Sequence, residues 1–159
     1  MEEQWGRVFA HESGHALMAV LQGIACRGIY FDRTEAKFCA VPVMPEPSGY
    51  SREHYLILTS GSAAEIIIYG DMDEEGATSD RVVFQNTGAP SLQETVDEAQ
   101  RILTDKKRQL KRLVSMLKAK CREVNLNLGD LPETVVDGST HKFVTLIPKE
   151  ELEDAVQRD

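Results

Sequence analysis

Residues 7–23 read RVFAHESGHALMAVLQG. Apolar side chains at Trp5, Val8, Phe9, Ala16, Leu17, Val20 and Leu21 recur at helical intervals across residues 3 to 22, with acids at the start and Gly23 as a stop. That spacing predicts one amphipathic helix. His11 and His15, four residues apart, then project from one face at mid-helix, with Glu12 beside the first. Such a pair can grip a metal ion or can be a polar patch satisfied by its neighbours, and the surroundings have to decide between the two.

Outward from this helix, GIYFDRTEAKFCAVPVM (28–44) sets two β-rich runs on either side of the polar DRTEA, a hairpin pattern. The Pro/Gly/Ser-rich PEPSG (45–49) follows and is the expected mobile loop. Ser51 is placed to cap a second helix running to Tyr69, and its apolar residues leave no clean polar face, as in a central buried helix. The Ile66 to Ile68 run also suits a strand. DMDEEGATSD (71–80) is acidic and turn-like, and a further short helix is expected to begin near Asp80. A capping box of Ser91 and Glu94 then opens a long helical region. Its stripe of Leu92, Val96, Ala99, Leu103, Leu110, Leu113, Leu117 and Val124 either runs unbroken or breaks near Thr104 and Asp105. The basic KKRQLKR (106–112) reads as a solvated face near a helix C-terminus. The tail pairs a β-like KFVTLI (142–147) with a short acidic helix from Lys149, an appended edge strand and closing helix.

The 159 residues, 42% hydrophobic and 28% charged, suit one globular domain with a real core. A formal charge of -8 argues against general affinity for nucleic acid or anionic membrane, since phosphate binding needs a basic face. Cys26, Cys39 and Cys121 are an odd number without a C-x-x-C pair, which suits reduced, idle thiols and a cytoplasmic setting. No stretch reaches the roughly 18 apolar residues of a membrane span, and the N-terminus lacks the order of a signal peptide.

The chemistry centres on HESGH. Histidines at i and i+4 can hold one tetrahedral zinc ion, and the adjacent glutamate lies close enough to take a proton from an activated water. A catalytic zinc takes three protein ligands, so one more must come from elsewhere. His54 falls in the first turn of the second helix and His141 in a polar turn, and both read as surface residues. Glu65 is a carboxylate in the most apolar helix and needs a partner if buried. Asp80, whose plain reading is a helix cap, is the other candidate. Spacing does not choose between them.

Taken together, FAHESGHALMAV, SREHYLILTSGSAAEIIIYGD and GATSD closely resemble, in order, the three signature segments of the peptidase domain of FtsH-type AAA zinc proteases. VDEAQRILTDKKRQLKRLVSMLKAK resembles the helices that follow, so the resemblance covers about residues 5 to 124. It implies a zincin-like fold, mainly α with a small β element. It also implies Zn2+ held by His11, His15 and Asp80, Glu12 as catalytic base, and Glu65 supporting a ligand histidine from behind. FtsH proteins carry membrane spans and an ATPase module before this domain, whereas here the chain begins almost at the zinc helix, and residues 125–159 have no clear counterpart.

The expected activity is zinc-dependent hydrolysis of unfolded or flexible polypeptides, with the peptide added as a strand beside Lys37 to Met44. The rival is a non-catalytic zinc-binding adaptor that docks on a separate ATPase. A partner of that kind or self-association is expected, without nucleic acid or a membrane segment.

Overall fold

The computed structural model describes residues 2–35, 37–73, 91–123, 134–136, 139–141 and 143–158. Among the described residues, five α-helices and a small antiparallel sheet enclose one core. Helix α1 (Glu2–Leu21) carries the HESGH segment, as its periodicity predicts. The strands β1 (Cys26–Asp32) and β2 (Lys37–Pro42) form the expected hairpin. Its turn is held by Asp32, whose Oδ1 accepts the Thr34 and Glu35 amides at 2.9 and 3.3 Å. A short 3-10 turn at Pro47–Gly49 leads to α2 (Arg52–Tyr69). The Ile66 to Ile68 run is therefore helical, and Gly70 ends the helix in the left-handed conformation, donating its amide to the Ile66 carbonyl.

The long C-terminal helical stretch breaks in two. Helix α3 (Leu92–Asp105), with the Ser91 hydroxyl accepting the Glu94 amide at its start, stops at Lys106, and α4 (Lys107–Glu123) takes over. KKRQLKR thus straddles the end of α3 and opens α4 instead of sitting near the end of one long helix. Part of it is engaged: the Arg112 guanidinium donates to the Ala155 and Arg158 carbonyls at 2.7 and 2.9 Å. Those carbonyls end the last helix, where a cation is favourable.

Strands β3 (Thr134–Val136), β4 (Ser139–His141) and β5 (Phe143–Pro148) complete a sheet of order β2-β1-β5-β3-β4, and α5 (Lys149–Gln157) closes the chain. Two expectations are corrected here. KFVTLI is not an edge strand, because β5 lies inside the sheet between β1 and β3. His141 belongs to a strand, pairing with Thr134, where a turn was expected. The tail is part of the core, since Val144, Leu146, Ile147, Leu152, Ala155 and Val156 join the same buried cluster as α1, α2 and α4. The helix expected to begin near Asp80 lies outside the described residues.

Helix α1 is the hub. Ala16, Leu17, Met18 and Ala19 are fully buried in succession, so no side of this part of the helix meets solvent. It packs against α2, α4 and the β1–β2 hairpin. Phe38 of β2 makes edge-on ring contacts with Trp5 and Phe9 of α1, at 5.2 and 4.9 Å between centroids. Those contacts lock the outer strand alongside the helix one turn before HESGH. Among the described residues, no helix is long and apolar enough to cross a membrane.

Candidate metal centre

The close crossing of α1 over α2 comes from two glycines. A side chain at Gly14 would strike the Ser60 carbonyl and the Ala64 methyl, so only glycine lets the helices approach this near. His11 and His15 flank Gly14 on the same face and are therefore driven against α2, each 8% exposed. Beneath them lies Gly61, where a methyl would come within 2.6 Å of both Nε2 atoms and of His11 Cε1. The missing side chain lets the two imidazoles converge close against the α2 backbone.

Both rings are oriented from behind. His15 Nδ1 donates to the Ile57 carbonyl at 2.7 Å, which requires the proton on that nitrogen. His11 Nδ1 lies 2.8 Å from Glu65 Oε2, while Glu65 Oε1 accepts the Asp73 amide at 3.2 Å. With each Nδ1 bearing the proton, a neutral imidazole presents its Nε2 lone pair to the other side. The two Nε2 atoms stand 3.0 Å apart, their rings nearly perpendicular at 81°. Two lone pairs at that range repel unless something positive is shared between them, either one added proton or a cation. Nitrogens bound to one tetrahedral zinc at about 2.0–2.1 Å each are a little over 3 Å from one another. The donor pair, its tautomers and the separation of the two Nε2 atoms thus fit a zinc ion.

Comparison of the chain with models of protein families, with curated proteins and with solved structures finds no match.

The remaining sequence candidates divide clearly. Glu65 is 2% exposed and lies on the Nδ1 side of His11, away from the point where the Nε2 atoms meet. Its geometry is that of a carboxylate behind a ligand histidine. Asp80 lies outside the described residues, and among the described residues no group of three or more metal-binding side chains gathers. His54 is spent on the start of α2, where its Nδ1 accepts the Ser51 amide at 2.9 Å. Glu12, half-buried, turns the other way from the histidines' α2 contacts and reaches the outer strand, accepting the Ala40 amide at 2.7 Å through Oε2. Its negative charge is felt there. The Cys39 thiol is pushed up to about 11, first by burial and then by Glu12. Burial also raises Cys26 and Cys121, and none of the three is in a disulfide.

Sequence reasoning missed four participants. The Ile57 carbonyl and the Ala40 and Asp73 amides are main-chain groups, invisible to any pattern of side chains. Gly61 did carry a signal: a glycine amid small residues in an apolar helix marks close approach, and here the approach is to two imidazoles.

Proposed function

We propose that the chain is a zinc-dependent endopeptidase acting on unfolded or flexible polypeptide. The observation that carries this reading is the convergence of the His11 and His15 Nε2 atoms, 3.0 Å apart, with both Nδ1 atoms committed elsewhere. His11 and His15 would hold the metal together with Asp80, the third ligand that the FtsH resemblance implies. When bound, zinc would supply Lewis-acid polarisation of a water and of the scissile carbonyl. The chain's own groups do the rest. Glu65 keeps the His11 proton on Nδ1 and so leaves Nε2 as the nitrogen that would hold the metal. The Ile57 carbonyl does the same for His15. Glu12, next in sequence to His11, takes a proton from the attacking water and delivers it to the departing amine. Strand β2, at the sheet's edge, offers main-chain groups to an extended peptide.

The Glu12–Ala40 hydrogen bond also favours a second reading, in which the carboxylate merely ties α1 to β2 in a zinc-binding adaptor that docks on a separate ATPase. Cleavage of β-casein by the zinc-loaded chain and by its Glu12→Gln variant separates the two. The peptidase reading expects Glu12→Gln to keep fold and zinc and to lose about 10² to 10⁴ in rate. Equal rates would remove Glu12 from the chemistry. No cleavage by either protein would leave the adaptor.

A further inference from the structure

The carboxylate assigned to proton transfer is already bound. Ala40 stands opposite Ile29 in the hairpin register, yet its amide hydrogen goes to Glu12 Oε2, 2.7 Å away across the gap between strand and helix. Because β2 is the outermost strand, that amide lies on the edge where an added strand would pair. A peptide docking there would need the same hydrogen, since paired strands exchange N–H and C=O at alternate residues. One amide hydrogen cannot serve two acceptors at full strength.

We infer that the Ala40 amide is a shared donor, which holds Glu12 in the ligand-free chain and passes to a backbone carbonyl of the bound peptide. Docking and the release of Glu12 are then a single event. In the free chain the Glu12 carboxylate stands in for a substrate carbonyl. The strand itself need not move, because Phe38, two residues earlier, is clamped between Trp5 and Phe9, and a turn of the Glu12 side chain suffices. Ala40 thereby becomes a positioning residue that acts through Glu12. The consequence is selective. A strand-forming peptide frees the base, whereas a short amide that cannot pair with β2 leaves it tethered.

This inference rests on the peptidase reading, and two variants isolate it. Glu12→Gln keeps an oxygen that can accept from Ala40, while Glu12→Ala keeps none, and neither cleaves the probe. Zinc content checks that both remain folded and loaded. Binding of fluorescein-labelled β-casein is expected to be about five-fold tighter to Glu12→Ala, from which the competing acceptor has gone. Reprotection of the Ala40 amide by bound casein, followed by hydrogen exchange, supplies a readout that a purely structural tie would not move. The amide should be protected in Glu12→Gln, exposed in Glu12→Ala, and protected again in Glu12→Ala saturated with casein. Equal casein affinities, or an Ala40 amide still exposed at saturation, would overturn the handover while leaving an active zinc peptidase intact. A parent chain that takes up no zinc and cleaves nothing would remove the underlying reading, and this inference with it.

Discussion

Where α1 crosses α2 the contact is close and polar. His11, His15, Ser60, Ser62 and Glu65 are all buried, and the two glycines bring the backbones together. Around α4, which packs on α1, β5 and α5, the core is apolar: Leu110, Leu113 and Leu117 join Leu146, Ile147 and Leu152 in the buried cluster, with Gln109 as the buried polar residue of α4. Both are interior contacts of one core, yet only the second is what stability alone would select. A buried polar group costs about 1–3 kcal/mol when its partner is missing, and an apolar replacement of the same shape is often at least as stable. The first contact meets that cost by supplying partners: Ile57 to His15, Glu65 to His11, and the Asp73 amide to Glu65. The difference teaches that the α1–α2 crossing is arranged around the histidines, and that the α4 side holds the helix that carries them.

Breaking the two contacts should therefore have different signatures. The largest effect on folding is expected from Leu117→Ala, which opens a cavity in the apolar contact. It should cost about 2–5 kcal/mol and lower Tm by roughly 5–20 °C, with zinc affinity of the folded protein unchanged. Calorimetry paired with a zinc titration checks both halves. A large loss of zinc affinity in this variant would mean that the two regions are not separable.

Gly61→Ala probes the polar contact from beneath. The added methyl meets both Nε2 atoms at 2.6 Å, so the rings must shift. The expected cost is about 1–3 kcal/mol in stability, accompanied by a fall in zinc affinity that Leu117→Ala does not show. Wild-type zinc binding in a folded Gly61→Ala chain would place the metal elsewhere.

The smallest of the three is Glu65→Gln, which keeps the size of the side chain and removes its charge. Zinc affinity should drop about 10- to 100-fold with little change in Tm, the behaviour of a group that orients a ligand. Complete loss of zinc would instead make Glu65 a ligand, and would transfer to it the role here given to Asp80.

The sequence made the α1–α2 region the more legible of the two. HESGH combines a helical period with a chemical spacing, so one short segment announces the element and the face on which both histidines lie. Glu65 was legible as an acid in an apolar helix, although which nitrogen of His11 it would meet needed the antiparallel approach of α2. The tail was harder. KFVTLI shows a strand, but strand order is a long-range property that no local pattern records, so β5 reads as an edge when it pairs on both sides. The break at Lys106 has no glycine or proline to announce it, and the sequence offered it, near Thr104 and Asp105, only as one of two alternatives. Arg112, one of a basic run, differs from its neighbours only because the end of α5 lies beside it. The grip of Ala40 on Glu12 belongs to the same class, a main-chain donor placed by the Phe38 anchor.

The most direct test of the account is zinc stoichiometry by elemental analysis, after equilibration with zinc and removal of the excess, on the parent chain and on His11→Ala and His15→Ala. The account predicts about one zinc per parent chain, and none in either variant while both remain folded. A folded parent without zinc, or a variant that keeps a full complement, would contradict it.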